Sequence, residues 1–450
     1  MNSKKVIALL MAVLMMLALV SCGKKEEPKQ TTTEPAGNTT EAQADVKEGE
    51  VQPAEITIWT YPIGKFGDRE TVDSLIAKFN EKYPDIKVTL ELLDYQNGDT
   101  QVTGAITAGT TPDIIMEGPE RLVANYAAAG KMVDLSDLWT DEVKQDIATT
   151  SEAIVNACQL DGKFYEYPLC MTAHTMAINY DAFKAANALQ YLDEENRTWT
   201  TDNFVKALEA LKAKGEIPVN GIVYCGGTGG DQGTRALVNN LYSGKFTNPE
   251  HTEYTANSAE NVKALTKLQQ LVNDGLLTAD PSFVANDELQ AFANKTAAMS
   301  FCWNASNKDK YAEQTDFKTF AMAFPSDDGK PELCGGIWGF GIFDNKDANK
   351  VVAAKEFIKF ICDSEQAADS VRLTGFFPAK SSLGNVYTGT EAEETANEFM
   401  KLMPYLGDYY NVTPNWPEQR DNWFNLLQQV FNGDDVQTAA DAYAEKSNKK

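Results

Sequence analysis

An alternation of strand-like and helix-like patterns near the N-terminal end constrains the fold more than any other feature. Glu55–Thr60 has the β-branched residues of a short strand, and apolar residues at helical spacing follow over Val72–Phe79. Ile86–Leu93 alternates as a second strand, 112–116 forms a third, and Arg121–Ala129 has the pattern of a second helix. This order predicts βαβ units and a largely parallel sheet.

The rest of the chain continues in the same style. Thr200–Asp202 offers an N-cap before a helical pattern, and a later helix is expected to close at Gly275. Met299–Trp303 and Trp338–Phe343 are apolar runs typical of buried strands. A helix around Trp423 is expected near the C-terminal end. The sequence therefore indicates an α/β protein with ample length for a large core.

The first residues have the pattern of an export signal. Two lysines precede the unbroken apolar segment Val6–Val20, and small Ser21 stands directly before Cys22. This is the arrangement of a bacterial lipobox, so we predict a lipoprotein signal peptide over 1–21 and acylation of Cys22. The apolar segment is shorter than the 18 or so residues that a membrane span needs. The protein is thus expected at the outer face of the cytoplasmic membrane, held there by its lipid anchor.

Composition narrows the partners. Residues 22–54 are rich in Lys, Glu, Thr, Pro, Ala and Gln with almost no apolar content, which predicts a disordered linker behind the anchor. The formal net charge is −25, and a surface this acidic repels the phosphates of nucleic acids. The same charge argues against electrostatic adhesion to anionic lipid. We expect a soluble, monomeric folded part that binds no nucleic acid.

Signatures of catalysis are scarce. The chain has only two histidines, and it contains no GxSxG, HExxH or Walker sequence, so neither a catalytic residue nor a metal ligand set stands out. No cofactor is implied. The glycine-rich stretch 226–233 lacks the GxGxxG spacing, but glycines before a helix can present backbone N–H groups to a polar ligand. Beyond Cys22 the cysteines allow either disulfides or buried thiols: Cys158, Cys170, Cys225, Cys302, Cys334 and Cys362.

Aromatic residues are frequent near predicted turns. Most aromatics at strand and helix positions belong to a core, but aromatic faces beside carboxylates and amides are also what a sugar requires. The C–H face of a sugar ring stacks on the aromatic side chain while its hydroxyls pair with polar groups. The aromatic residues near turns are Trp59, Tyr61, Tyr224, Tyr242, Trp303, Trp338, Phe376, Phe377, Tyr409, Tyr410, Trp416 and Trp423. Trp338 and Phe377 are among those predicted to bind the ligand.

Six segments, in order, resemble the family 1 extracellular solute-binding proteins of ABC importers, the group that contains maltose-binding protein. The likeness runs from about residue 55 to the C-terminus. The matching segments are Ile56–Thr60, Ala108–Ile115 with Tyr126–Met132, Asp161–Pro168 with Ala177–Asp181, Phe292–Met299, Lys355–Phe360 and Thr374–Ala379.

The resemblance implies a two-lobed periplasmic-binding-protein-like fold (type II) with a central cleft and hinge crossovers. Crossovers near 169, 336 and 374 would give one lobe from 55–169 and 337–374. The other lobe would hold 170–336 and 375–450. Solute would stabilise the closed form, and a membrane permease would recognise that form.

The resemblance also places ligand-binding residues. Tyr61 follows the first strand, where the family lines its cleft, and Trp423 aligns with an aromatic that stacks on sugar. A carboxylate, Glu117, stands where maltose-binding protein presents a stacking tryptophan, and Trp303 falls about two residues before the corresponding tryptophan of the family. The remaining positions implied by the resemblance are Glu120, Arg121, Thr172, His174, Asp231 and Arg235.

The function implied is a non-enzymatic, lipid-anchored subunit that captures a carbohydrate and delivers it to a permease. A second hypothesis is a polyamine or other small cationic solute, because Glu117, Glu120 and Asp231 are acidic. A third is a glycoside hydrolase, which needs two carboxylates about 5–10 Å apart. No local pair in the sequence stands out for that role. A surface adhesin would leave the order of the motifs unexplained.

Overall fold

A computed structural model describes residues 52–227 and 229–449. The predicted signal peptide, Cys22 and nearly all of the predicted linker lie outside these residues. Within the described part, no helix is both long enough and apolar enough to cross a bilayer.

The thirteen strands of the described residues fall into a six-stranded sheet, a three-stranded sheet and two strand pairs. The six-stranded sheet has the order β13-β6-β12-β3-β1-β2, the three-stranded sheet has the order β10-β7-β11, and the pairs are β4-β5 and β8-β9. The strands are β1 Ala54–Thr60, β2 Ile86–Leu92, β3 Ile114–Glu117, β4 Gln159–Leu160, β5 Lys163–Phe164, β6 Tyr167–Ala173, β7 Thr175–Asn179, β8 Ile222–Tyr224, β9 Thr278–Asp280, β10 Met299–Trp303, β11 Thr319–Met322, β12 Gly335–Ile342 and β13 Phe377–Pro378.

Helices cover the sheets and the segments between them. In chain order they are α1 Arg69–Lys82, α2 Gly98–Ala108, α3 Pro119–Arg121, α4 Asp141–Thr150, α5 Glu152–Ala157, α6 Tyr180–Ala185, α7 Thr201–Lys214, α8 Asp231–Leu241, α9 Ala259–Asn273, α10 Ala285–Ala293, α11 Ala305–Tyr311, α12 Ala348–Asp363, α13 Ala367–Thr374, α14 Glu393–Met400, α15 Trp416–Asn432 and α16 Val436–Ser447. A π-helix, Leu122–Ala127, continues α3.

The first βαβ unit forms as its sequence pattern predicts. The Asp68 side chain accepts a hydrogen bond from the backbone N–H of Thr71 and caps α1, which satisfies a donor that the first turn leaves open. The apolar stripe of α1 is buried, and the Phe79 ring packs edge-on against Phe357 and Phe360 of α12. β1 then pairs in parallel with both β2 and β3.

The prediction of a largely parallel sheet is wrong beyond these three strands. β12 pairs antiparallel with β3 and with β6, and β13 pairs antiparallel with β6. The three-stranded sheet is antiparallel as well. Helical crossovers join β1, β2 and β3 and allow them to run in one direction. β12 enters the sheet between β3 and β6 from a distant part of the chain and runs in the opposite direction to both.

Two strands of the large sheet lead directly toward the three-stranded sheet. β6 ends at Ala173 and β7 begins at Thr175, so a single residue, His174, connects the two sheets. Residues 323–334 make the return connection from β11 to β12. The predicted crossovers near 169 and 336 fall within β6 and β12, and the lobe boundaries drawn there remain a prediction.

The six cysteines of the described part are thiols, and five of them are buried. Cys302 is the partly exposed member and lies next to the cavity described below. Burial raises the pKa of the Cys170 and Cys225 thiols to about 12, which keeps both protonated at neutral pH.

Candidate functional site

A cavity of about 220 Å³ opens where the first three parallel strands end. Pro62 and Ile63 follow β1, Tyr95 follows β2, and Glu117 is the last residue of β3; all four line the cavity. Carboxyl ends of neighbouring parallel strands meet at one edge of a sheet, and this edge is where α/β proteins usually hold ligands.

A second set of lining residues comes from the start of α8 and the end of β10. Gly229, Gly230 and Gly233 line the cavity at the N-terminus of α8. A Cβ at position 233 would collide with the backbone oxygen of Phe301, so only glycine lets α8 lie this close to β10. Four polar or thiol residues at the end of β10 and just beyond it belong to the same set: Cys302, Asn304, Ser306 and Asn307.

Aromatic rings supply flat surfaces in the cavity. Trp338 on β12 and Phe376 directly after α13 stack in parallel, with ring centroids 4.6 Å apart and an interplanar angle of 12°. The His174 ring meets Trp338 edge-on at 6.2 Å. Trp416, the first residue of α15, also lines the cavity. Rings of this kind can stack on the C–H face of a sugar.

Carboxylates surround Arg121; Glu117 and Glu120 are buried, and Asp99 is partly exposed. The Nε and Nη2 of Arg121 donate to the two carboxylate oxygens of Asp99 at 2.6 and 3.0 Å, and its Nη1 donates to Glu117 Oε1 at 2.7 Å. The guanidinium group lies over the Tyr61 ring, 5.0 Å from its centroid, and the Tyr61 hydroxyl donates to Asp99. Arg121 is thereby held by a bidentate ion pair, a second carboxylate and a cation–π contact.

The two carboxylates paired with Arg121 differ in acidity. Burial raises the pKa of Glu117 to about 8, with Arg121 acting against it and Glu120 and Asp99 reinforcing it. Burial also acts to raise the pKa of Asp99, but hydrogen bonds and the charge of Arg121 hold it below its usual value. The second oxygen of Glu117, Oε2, is buried and has no hydrogen-bond partner among the described residues. It is an open polar group at the cavity wall.

A second buried ion-pair group joins the start of α8 to the start of α15. Arg420 Nε donates to Asp231 Oδ1 at 3.0 Å, and Arg235 Nε lies 3.1 Å from Asp231 Oδ2. Burial acts to raise the pKa of Asp231, but the two arginines hold it below its usual value. Burial, and then the charge of Arg235, lower the pKa of His174 to about 4, so its imidazole is neutral at neutral pH.

One hydrogen bond joins parts of the chain that are far apart in sequence. The Tyr409 hydroxyl donates to Glu120 Oε2 at 2.7 Å, and both residues are buried. Glu120 belongs to the first predicted lobe and Tyr409 to the second, so this bond would span the predicted cleft.

Replacing Tyr409 with phenylalanine is expected to lower the free energy of unfolding by about 1–3 kcal/mol, because a buried carboxylate loses its donor. Urea denaturation measures the change. Tyr180→Phe is the matched control, since its hydroxyl makes the same kind of bond to Glu194 at 2.8 Å in solvent. The control should cost less than about 0.5 kcal/mol. Equal costs for the two variants would show that burial of the Glu120 bond contributes nothing.

Five of the residues implied by the family resemblance or by the aromatic pattern line the cavity. They are Glu117, Glu120, Arg121, His174 and Trp338. Tyr61 and Asp231 lie behind this wall, where Tyr61 contacts Arg121 and Asp231 pairs with Arg420. Arg235 pairs with Asp231 in the same layer. Thr172 is buried within β6.

Three predicted aromatic residues lie away from the cavity. The Trp423 ring is fully buried, its Nε1 donates to Thr234 Oγ1 at 2.9 Å, and it packs edge-on against Phe246. Trp303 is buried edge-on against Phe292, and Phe377 packs edge-on against Tyr387. These contacts are those of core residues, so the stacking roles expected for the three remain predictions from sequence alone.

The ligand-binding residues predicted from the sequence leave out several residues that line the cavity. Phe376 and Phe377 are neighbours, and successive residues of an extended segment point to opposite sides, so a shift of one position selects the wrong ring. Trp416 carries a helix-start signal, since Pro417 follows it in the first turn of α15. Tyr95 could have been predicted, because it follows β2, which is parallel to β1 and ends at the same edge of the sheet. The polar lining residues near the glycine-rich stretch and β10 are not marked by any comparable sequence pattern.

Groups of three or more potential ligands that could hold a metal ion do not occur among the described residues.

The sequence profile of the bacterial extracellular solute-binding proteins matches residues 64–368 of the chain. An arabinooligosaccharide-binding protein of Bacillus subtilis (strain 168) is 23% identical over 359 residues, with 78% of each chain covered. An sn-glycerol-3-phosphate-binding periplasmic protein of Escherichia coli is 23% identical over 419 residues, which cover 87% of this chain and 91% of that protein.

Solved structures share the fold. An ABC substrate-binding protein from Listeria monocytogenes, in complex with cycloalternan, superposes with a TM-score of 0.70 at 22% identity. The match covers 88% of this chain and 98% of that chain. The expected α/β fold of the two-lobed type II class is therefore confirmed. Because the family profile extends over more than half of the sequence, the chain belongs to the bacterial extracellular solute-binding proteins.

Proposed function

We propose that the protein is the extracytoplasmic solute-binding subunit of an ABC importer and that its solute is a mono- or oligosaccharide. The observation that carries this proposal is the combination of the stacked Trp338–Phe376 pair with buried carboxylates in one cavity. A sugar needs both an aromatic face for its C–H surface and acceptors for its hydroxyls. The names of the arabinooligosaccharide-binding relative and the cycloalternan complex support the same solute class.

The proposed mechanism is closure of two lobes on the solute. The lobes are 55–169 with 337–374, and 170–336 with 375–450. Their strands β6 and β12 would carry the hinge, and the Tyr409–Glu120 bond would help to hold the closed form. Solute binding would shift the population toward closure, and a permease would recognise that form. This subunit would make and break no covalent bond.

We further propose that Cys22 carries a lipid anchor after removal of residues 1–21. The lipobox pattern in the sequence supports this proposal. A receptor that hands solute to a permease benefits from being held at the same membrane, because tethering raises its effective concentration there. The protein would then act as a monomer at the outer face of the cytoplasmic membrane.

A thermal-shift screen tests the carbohydrate proposal. The panel contains neutral mono- and oligosaccharides, sugar phosphates, uronic acids, polyamines and amino acids. A specific binder at a concentration well above its Kd raises the midpoint of unfolding by about 2 °C or more. We expect this shift with at least one carbohydrate. A shift with a polyamine or an amino acid and with no carbohydrate would contradict the proposal.

Two neighbouring phenylalanines provide a matched pair of variants. Phe376→Leu removes a ring that lines the cavity, and we expect the affinity for the sugar found in the screen to fall about tenfold. Phe377→Leu changes an equally buried ring that packs on Tyr387 instead, and should leave affinity within about twofold. Titration calorimetry measures both. An equal loss in the two variants, or a loss only in Phe377→Leu, would place the sugar elsewhere.

A further inference from the structure

The charges at the cavity wall define the solute more narrowly than the aromatic rings do. Among the described lining residues, the cationic side chains are Arg121 and Arg420. Lining carboxylates are Glu117 and Glu120, and His174 is neutral at neutral pH because its pKa is lowered to about 4. Whether an anion can bind here depends on how far the two arginines are already neutralised.

Arg121 is saturated by carboxylates of the protein. Three of its nitrogens donate to Asp99 and Glu117 at 2.6–3.0 Å, and Glu120 Oε1 lies 3.8 Å from its Nη1. The side chain is only 3% exposed. A phosphate or carboxylate of a ligand would have to displace one of these partners and leave a buried carboxylate unpaired, which is costly.

Arg420 is also paired with a buried carboxylate. Its Nε donates to Asp231, which is fully buried and also pairs with Arg235. Both guanidinium groups of the wall are therefore already engaged by carboxylates of the protein. This differs from a typical phosphate site, in which Arg or Lys donates in bidentate fashion to the ligand itself.

The open group of the wall is an acceptor. Glu117 is 1% exposed, its Oε1 is engaged by Arg121, and its Oε2 is buried without a hydrogen-bond partner among the described residues. A buried polar group in this state is satisfied best by a ligand hydroxyl, which can donate to it. Above the pKa of Glu117, an anionic ligand group at the same place would meet an acceptor and a like charge.

We propose that this cavity selects uncharged polyhydroxylated solutes and rejects their phosphorylated or acidic counterparts, and that Glu117 is the residue that sets this specificity. The inference rests on the proposed function, since it assumes that carbohydrate binds here. This specificity separates the chain from the relatives named as sn-glycerol-3-phosphate-binding proteins. The alignment with the Escherichia coli member of that group nevertheless covers 91% of that protein.

Matched pairs of probes test the proposal on the full-length protein. Titration calorimetry compares glycerol with sn-glycerol 3-phosphate, glucose with glucose 6-phosphate and glucuronate, and the sugar found in the thermal screen with its phosphate or uronate. At about pH 9, where Glu117 is ionised, we expect the neutral member of the binding pair to bind about 100-fold more tightly or better, because the acidic member brings a like charge against Glu117. Equal or tighter binding of the acidic member would overturn the inference.

The outcomes distinguish this inference from the proposed function. A sugar phosphate or uronate that binds in preference to its neutral counterpart overturns the specificity and leaves a carbohydrate receptor intact. Binding of sn-glycerol 3-phosphate with no response to any sugar overturns both. A neutral sugar that binds while its acidic counterparts do not supports both.

Glu117→Gln tests the assigned residue. At about pH 9, above the pKa of Glu117, the amide keeps an acceptor but removes one negative charge, so we expect the affinity for the acidic member to rise and the discrimination to fall about tenfold. Glu55→Gln, whose side chain is 79% exposed, is the charge-matched control and should leave discrimination unchanged. If Glu117→Gln does not fold, Glu120→Gln removes the neighbouring charge. Discrimination that is as high in these variants as in the control would overturn the role of Glu117.

Discussion

Replacing Arg121 with methionine is expected to lower the free energy of unfolding by about 3–5 kcal/mol, because removing one partner of a buried ion pair leaves the other charge uncompensated. Asp99 would lose both of its bonds to the guanidinium, and Glu117 would lose its bond at 2.7 Å. Methionine retains much of the apolar volume beneath Tyr61, so the loss reports the charge rather than a cavity.

Urea denaturation of the two proteins measures this loss. Lys87→Met provides the control, since Lys87 also forms an ion pair, with Glu55, but both side chains are more than 70% exposed. An exposed pair contributes about 0–1 kcal/mol, so the control should change little. A loss of less than about 1 kcal/mol for Arg121→Met would mean that Arg121 does not compensate the buried carboxylates around it.

Stability is expected to fall as the pH rises from about 5 to about 9, in part because of one buried carboxyl group. Burial raises the pKa of Glu288 to about 8, although the backbone N–H of Phe301 and the hydroxyl of Ser300 donate to it. In the unfolded chain its pKa is near about 4.3. Between these values the folded protein keeps a proton that the unfolded chain releases, so unfolding becomes more favourable as pH rises. The contribution of this group is fully present below about pH 4.3 and is lost as pH approaches about 8.

The variant Glu288→Gln isolates this contribution, because the amide resembles the protonated acid. We expect the stability of the native protein to decline more steeply with pH than that of the variant, with the difference growing to a few kcal/mol at about pH 9. Glu117 and Glu166 are also buried with raised pKa values, so the variant should retain part of the decline. Parallel curves for the two proteins would show that Glu288 is ionised in the folded state at neutral pH.

Local patterns predicted elements well where one helix or strand buries one face. β10 spans the same residues, Met299–Trp303, as its apolar run, and α1 includes the entire predicted stripe. The helix expected over Arg121–Ala129 is different, because α3 ends at Arg121 and a π-helix replaces it from Leu122. Periodicity does not encode that change of helix type.

Strand direction was predicted less well, for a topological reason. Hydrophobic runs indicate that a strand is buried but not which neighbour it pairs with or in which direction. β12 lies between β3 and β6 although more than 150 residues separate it from either. Such pairing depends on how distant parts of the chain meet, which no local pattern contains.

The candidate site shows the same division. Acidic and cationic residues that follow β3 were identified from the order of motifs, because their position after a strand fixes them at the sheet edge. Among the aromatic residues, Trp338 was a predicted candidate but Trp416 was not, as α15 illustrates. Seven residues of helix rise about 10 Å, so Trp416 lines the cavity while Trp423 lies two turns deeper in the core.

A crystal structure of the protein with the sugar identified in the thermal screen would locate the binding site. We expect one sugar ring stacked on the Trp338–Phe376 pair, with a hydroxyl within hydrogen-bonding distance of Glu117 Oε2. A sugar bound outside this cavity, or bound in it with a charged group against Glu117, would contradict the proposed site.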